Sequence, residues 1–161
     1  MSHEHVSRRA GESAPFHFAD RWIVEAEPET VWAVLEDVEE WSRWWPGLTE
    51  AHRFGESLVP GARARILVRT PIGVTLRFVI TLQEVDSPRY IRFSASGDLR
   101  GEGIWTLTRE RGATRIDAQW CVTTIRALIT MMRPVSGIMH ALVMAAGERG
   151  LRRRLSGTAG D

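Results

Sequence analysis

Apolar and polar positions alternate along residues 16–26, FHFADRWIVEA. Phe18, Trp22 and Val24 share one face with Asp20, and His17, Arg21 and Glu25 share the other. A period of two predicts a half-buried strand. The period then lengthens. Pro28 suits a first helical position, where its missing donor is not needed. Val31, Trp32, Val34, Leu35 and Val38 follow at helical spacing. Residues 37–40 predict a kink and residues 41–45 a second short helix, ended by Pro46-Gly47.

Alternation returns after that break. Residues 49–57 are weakly patterned. In ARARILVRT, residues 62–70, Ala64, Ile66 and Val68 oppose Arg63, Arg65 and Arg69. Leu76, Phe78, Ile80 and Leu82 alternate with Arg77, Thr81 and Gln83. Further strands are predicted over 89–97, 99–109 and 114–124, with turns at Pro60-Gly61, around Pro71 to Gly73, at 86–88, near Gly97-Asp98 and at 110–112. From Leu128 to about Leu155 the spacing is helical again. Met132, Val135, Met139, Leu142, Val143, Ala146 and Leu151 mark a broad apolar face, and Pro134 is expected to kink the helix or to start its main part.

The predicted order is one strand, two short helices, six strands and a long helix. An antiparallel sheet with one face to bury needs a cover, and the terminal helix is the only element long enough. The expected fold class is α+β: a curved antiparallel seven-stranded sheet wrapped around the C-terminal helix. Residues 15–156 are expected to form one domain, between flexible tails at 1–14 and 157–161. A curled sheet and a straight helix need not touch along their whole length, so a ligand cavity is expected between them.

Composition narrows the function classes. The chain of 161 residues is 43% hydrophobic and 25% charged, as a single globular domain would be. A net charge of +1 gives no field that draws nucleic acid or a membrane surface. The Arg152-Arg153-Arg154 run lacks interleaved aromatics and reads as a solvated helix end. The chain has no lysine, which excludes Schiff-base chemistry, and no asparagine. Cys121 is the single cysteine; no disulfide or cysteine metal cluster is expected, in keeping with a reducing cytoplasm. His3 and His5 lie in a polar N-terminal stretch expected to be too loose for metal geometry. No apolar run is long enough to span a bilayer. No metal and no cofactor are expected.

Candidate chemistry follows from position. Asp20 shares the apolar strand face; if that face is internal, a carboxylate is buried there as a base or a ligand partner. His140 lies in the long helix among Met139, Val143 and Met144, and an imidazole there can shuttle a proton. Arg92 alternates with Tyr90, Ser94 and Ser96; facing inward, this stripe would hold an oxyanion, and facing outward it would be solvated. Gly101 and Gly103 offer bare backbone to a ligand or helix, beside Trp105. The expected wall comprises Trp22, Ile66, Val68, Phe78, Ile80, Trp105 and Trp120 from the strands. Met139, Val143 and Met144 complete it from the helix.

Four of the seven tryptophans fall within residues 27–47. Trp32 is expected to pack the first helix on the sheet, and Trp41, Trp44 and Trp45 to roof the cavity mouth. An indole contributes about 150–250 Å² of surface, enough to close an apolar chamber.

Several segments are similar to a known family. EAEPETVWAVLEDVEEWSRWWPGL, SGDLRGEGIWTLT, GATRIDAQWCVTT and HALVMAAGERGLRRRL occur in order across about residues 16–155. In them the chain resembles the START-like, or Bet v 1-like, helix-grip (SRPBCC) superfamily, and more narrowly its bacterial polyketide cyclase/dehydrase branch. The resemblance implies a helix-grip fold and a hydrophobic ligand. The branch often carries Asn-His-Asp where this chain has Met139-His140-Ala141, so only the histidine is carried over.

Three functions are compatible with these residues. The first is a binding module for a small hydrophobic molecule, aromatic, lipid or polyketide-like. The second is a cyclase, aromatase or dehydratase using Asp20, His140 or Arg92 for protons. The third is a partner-binding or dimerising protein using exposed tryptophan. The chain is expected as a monomer or a homodimer.

Overall fold

In the computed structural model, residues 6–55 and 59–158 are described; His3 and His5 lie outside them. Strand β1 (Phe16–Val24) is followed by helix α1 (Pro28–Glu36), a 3-10 turn (Val38–Glu40) and helix α2 (Trp41–Trp44). Strands β2 (Leu48–Phe54), β3 (Arg63–Arg69), β4 (Thr75–Asp86), β5 (Tyr90–Gly97), β6 (Arg100–Glu110) and β7 (Ala113–Thr123) come next. Helices α3 (Ala127–Met131) and α4 (Arg133–Thr158) close the chain. The seven strands form one antiparallel sheet in the order β1-β7-β6-β5-β4-β3-β2. The first two strands of the chain are thus the two edges, and the sheet curls around α4 as a half-barrel. Irregular register at Leu48/Glu50 in β2 and at Leu82/Glu84 in β4 adds local twist where the sheet must bend.

The period-two reading holds in β1, β3 and β4, whereas the irregular register of β2 sets its buried residues Leu48 and Ala51 three apart and β7 ends in three consecutive buried residues. In β4, Leu76, Phe78, Ile80 and Leu82 are buried, while Arg77 and Gln83 face solvent. Of the weakly patterned residues 49–57, those up to Phe54 belong to β2, and residues 56 and 57 lie outside the described ones. The long helix is split where Pro134 was expected to kink it or to start its main part. Met132 separates α3 from α4, and Pro134, second in α4, has no N–H to give the preceding turn. Helix α4 then runs through Thr158, past the expected start of the tail.

Both ends of the α3–α4 junction are tied to the sheet. The Arg126 guanidinium bonds the Asp98 carboxylate at 3.1 Å. Arg133 lies 3.8 Å over the Phe16 ring and donates to the carbonyls of Ala14 and Pro15. The stretch before β1 is engaged as well. Glu12 and Ser13 are buried. Ser13 exchanges hydrogen bonds with Thr124 at 2.8 and 3.2 Å. Both Glu12 carboxylate oxygens accept from Arg100, each at 2.7 Å.

The far half of α4 is seated by absent side chains. A Cβ on Gly150 would fall inside the Trp44 carbonyl, and one on Gly147 would overlap the rings of Trp45 and Trp22. Leu151 and Leu155 are buried alongside. Helix and tryptophan segment therefore meet backbone to backbone, closer than any side chain allows.

These contacts generate two tests. Gly150→Ala should destabilise by about 1–3 kcal/mol through overpacking. Gly137→Ala, whose added methyl meets nothing within 4 Å, should stabilise by about 0.5–1 kcal/mol; urea unfolding of both variants reads the contrast. For Glu12, the Arg100 hydrogen bonds hold the carboxyl well below its ordinary 4.5, at about 2. A depressed folded-state pKa means stability that is full above pH 4.5 and lost as pH falls toward 2. The melting-temperature gap between wild type and Glu12→Gln should therefore be present at neutral pH and close across that acid window.

Candidate functional site

A cavity of about 280 Å³ lies between the concave face of the sheet and the first half of α4. Its sheet wall carries Phe18, Ile66, Val68, Phe78, Ile80 and Phe93, each on the inward parity of its strand. Its helix wall carries Ser136, Met139, His140, Val143 and Met144. Trp32, Leu35 and Trp41 close it on the side of α1 and α2. For scale, an engineered apolar cavity of ~150 Å³ takes benzene. The chamber here is roughly twice that size and suits a fused bicycle or a short acyl chain.

The polar groups of the wall are mostly engaged with the protein itself. Glu36 accepts the Trp32 indole N–H at 2.7 Å. The Ser136 hydroxyl donates to the Arg133 carbonyl at 2.8 Å and Thr70 to the Val74 carbonyl at 3.0 Å. Arg53 and Arg63 lie at the rim, with the Arg63 guanidinium 6.0 Å over the Phe54 ring. A lining with its polar groups already bonded offers a guest mainly dispersion contact and release from water.

One pair stands apart. The parity of β1 turns Asp20 inward, and α4 presents His140 toward it. Asp20 Oδ2 and His140 Nε2 are 2.6 Å apart, across 120 residues of sequence. Their side chains are only 17% and 21% exposed. The Phe18 ring stacks on the imidazole at 3.9 Å between centroids and 10° between planes. Carboxylate and phenyl ring together fix the imidazole orientation. With Nε2 directed at Asp20, Nδ1 is the ring nitrogen not used in that bond.

Of the expected wall, Trp45, Ile66, Val68, Phe78, Ile80, Trp105, Trp120, Met139, Val143 and Met144 do line the cavity. Arg92 does not. Phe93 and Ile91 take the inward parity of β5, so Arg92 points to the convex face, 2.8 Å from Glu84 and 3.5 Å from Glu102. The Glu84 hydrogen bond raises its pKa further; an oxyanion in the cavity is out of its reach. Gly101 and Gly103 have the inward parity but leave no room for a ligand. A Cβ on Gly101 would strike the backbone of Cys121 and Val122, and one on Gly103 would strike the rings of Phe93 and Trp120. Those glycines make space for the protein's own chain and rings.

Two tryptophans are also set back. Trp22 is 3% exposed and meets Trp45 and Trp105 edge-on, both at 5.3 Å. Trp44 packs under Gly150, away from the chamber. In their place Trp32 and Trp41 face it, Trp41 anchored by an indole bond of 3.0 Å to the Leu35 carbonyl. Trp45 reaches across and donates to the Val143 carbonyl of α4 at 2.9 Å. None of the seven tryptophans is exposed, so a partner surface built on exposed indole is ruled out. Phe16 and Phe18 share the parity that exposes Asp20 to the cavity, and that parity was their signal. Arg53 and Arg63 gave none, because a rim position depends on where the sheet ends.

The same curled architecture occurs in solved proteins. TTHA0849 from Thermus thermophilus superposes with a TM-score of 0.75 at 19% identity, over 88% of this chain and 98% of that one. The Zhui aromatase/cyclase from Streptomyces sp. R1128 gives 0.71 at 15% identity, over 89% and 94%. The di-domain ARO/CYC StfQ from the steffimycin biosynthetic pathway gives 0.66 at 16%, over 91% of this chain and 52% of that one. At such identities the likeness establishes the helix-grip fold. The chain matches none of the curated proteins. Residues 15–159, nearly all of the chain, match the family described as polyketide cyclase / dehydrase and lipid transport, and the chain belongs to that family within the helix-grip superfamily.

Proposed function

We propose that this protein encloses a small hydrophobic molecule, aromatic or polyketide-like, between its sheet and α4. The observation that carries this reading is the chamber of about 280 Å³, apolar but for self-bonded polar groups, two arginines at the rim and one part-buried carboxylate–imidazole pair. Burial of a guest's apolar surface supplies the affinity, at about 25 cal/mol per Å² before the costs of immobilisation. The His140 Nδ1 then selects guests that place a hydroxyl, phenol or acidic C–H at that point of the wall.

A second reading makes the pair catalytic, and the aromatase/cyclase likeness in fold favours it. His140 would remove a proton from a carbon flanked by two carbonyls. The resulting enolate carbon would attack a ketone carbonyl held beside it, forming the ring bond. The alkoxide so formed would take the proton back from the imidazolium, whose charge Asp20 offsets. Loss of water would complete a dehydrative cyclisation, with no external oxidant or reductant. Chamber shape folds the chain, and exclusion of water protects the enolate. Arg92 has no part in it.

Tryptophan fluorescence should report binding, because Trp32, Trp41, Trp45, Trp105 and Trp120 all face the chamber. Titration with fatty acids, flavonoids and aromatic polyketides should produce saturable quenching and a raised melting temperature. Val68→Trp, which fills the chamber, should weaken the same ligand at least about tenfold, while Arg92→Ala leaves it unchanged. Quenching equal in wild type and Val68→Trp would place the ligand elsewhere and refute the reading. For the pair, a double-mutant cycle over Asp20→Ala and His140→Ala should give a coupling of about 1 kcal/mol or more in stability. Turnover of a poly-β-keto thioester mimic that is lost in both single variants, with binding retained, would establish the catalytic reading. Binding without turnover in wild type would leave the carrier role alone.

A further inference from the structure

The outer side of the α3–α4 segment is more apolar than a solvated surface allows. Leu128, Met131, Val135, Ile138 and Leu142 follow one another at steps of three and four, and Ile125 precedes them. Their exposures run from 37% at Val135 to 75% at Met131, with Ile138 at 65% and Leu142 at 53%. The residues between them that face solvent are Ala127, Thr130, Pro134, Gly137 and Ala141, all uncharged. Between Asp117 and Glu148 the sequence contains no acidic residue, and its only formal charges are Arg126 and Arg133. Isolated exposed apolar residues need no explanation, but a continuous set of this kind does.

We propose that this face is the interface of a homodimer, in which α3–α4 of one protomer packs against the same segment of a second copy about a two-fold axis. Three observations favour a second copy over other occupants. First, within α4 the steps of three and four from Val135 through Ile138 to Leu142 give the 3.5-residue seam by which two helices interlock, each apolar side chain entering a gap in the facing helix, and Leu128 and Met131 carry the apolar face on along α3, beyond the break at Met132. Gly137 and Ala141 lie beside that seam and let the axes approach to about 8–10 Å. Second, both arginines are turned away from it. Arg126 is committed to Asp98 and Arg133 to the Phe16 ring and two carbonyls. A helix that settles on a lipid surface needs a cationic rim for the headgroups, whereas a self-pairing face needs no charge to repel its copy. Third, the dimensions match. Along α4 the seam from Val135 to Leu142 is about 10 Å long, and Leu128 and Met131 of α3 lengthen it. The six large side chains approach the upper size of a monomer's apolar patch, roughly 300–600 Å². Their small neighbours extend it toward the roughly 800 Å² per partner of a standard interface. The chain's own remaining segments are poor covers: residues 1–5 are MSHEH, residues 56–58 are ESL and residues 159–161 are AGD, with two large apolar side chains, Met1 and Leu58, among them.

The interface would lie back to back with the chamber. Ile138 and Leu142 point outward from the same two turns whose inner side carries Met139, His140 and Val143. Pairing would therefore brace the helix wall that holds the imidazole.

Sedimentation equilibrium of the full chain tests this. Wild type should dimerise with a Kd at or below about 10 µM. Ile138→Glu/Leu142→Glu should raise that Kd at least about a hundredfold, with circular dichroism unchanged and with a melting temperature that no longer rises with protein concentration, as that of the wild-type dimer should. As a second measurement, Ala141→Cys should form a covalent dimer on mild oxidation, and Gln83→Cys on the convex face should not. A wild type that remains monomeric at high concentration overturns the proposal. So does a dimer that is insensitive to Ile138→Glu/Leu142→Glu, since it uses another surface. Monomeric wild type that floats with phosphatidylcholine–phosphatidylglycerol vesicles, while Ile138→Glu/Leu142→Glu does not, also overturns it and assigns the face to a bilayer.

Discussion

The contact of α4 with the tryptophan segment governs everything else in this molecule. At Gly147 and Gly150 the helix carries no side chain, and α2 with the residue after it presses backbone and the rings of Trp44 and Trp45 into the vacancy. The Trp45 indole adds a hydrogen bond to the Val143 carbonyl. That close seat draws the far half of the helix onto the fold, where Leu151 and Leu155 are buried. The near half, held by Arg133 on Phe16, cannot follow the curl of the sheet, and the separation that results is the chamber. Cavity and core are two halves of one helix packed at two distances.

The chamber's chemistry depends on the same arrangement. Asp20 is internal because β1 keeps strict alternation, pairing residue by residue with β7 from Phe16 to Val24. His140 is internal because it lies near one turn before Met144, which is buried. Asp20 and His140 satisfy each other through one short hydrogen bond. A carboxylate on a wall this apolar would otherwise be costly to desolvate. The pair keeps a polar point on a greasy surface at little expense to the fold.

Local periodicity carried much of this in advance. Seven strands, the helices after β1 and the inward parity of Asp20, Trp105 and Trp120 are all readable as a period of two or of 3.6. What periodicity lacks is the partner. Arg92 and Phe93 alternate, and nothing in the strand itself says that Phe93 takes the inside; the curl of the sheet and Glu84 and Glu102 beside Arg92 decide it. Gly101 and Gly103 had the right parity but the wrong consequence, because the volume above Gly103 is filled by Phe93 and Trp120, from neighbouring strands. The Asp20–His140 bond joins residues far apart in the chain, and no spacing rule reaches so far. Glu12 was similarly hidden: its partner Arg100 begins a strand 88 residues later.

The seat at Gly147 and Gly150 also limits how the protein can adapt to its guest. With the last turns of α4 held against Trp44, the helix cannot slide along its axis or lift away as a unit. The opposite end is tied as well, by Arg133 on the Phe16 ring and on the carbonyls of Ala14 and Pro15, so a guest larger than the chamber would have to break those contacts before the helix could move.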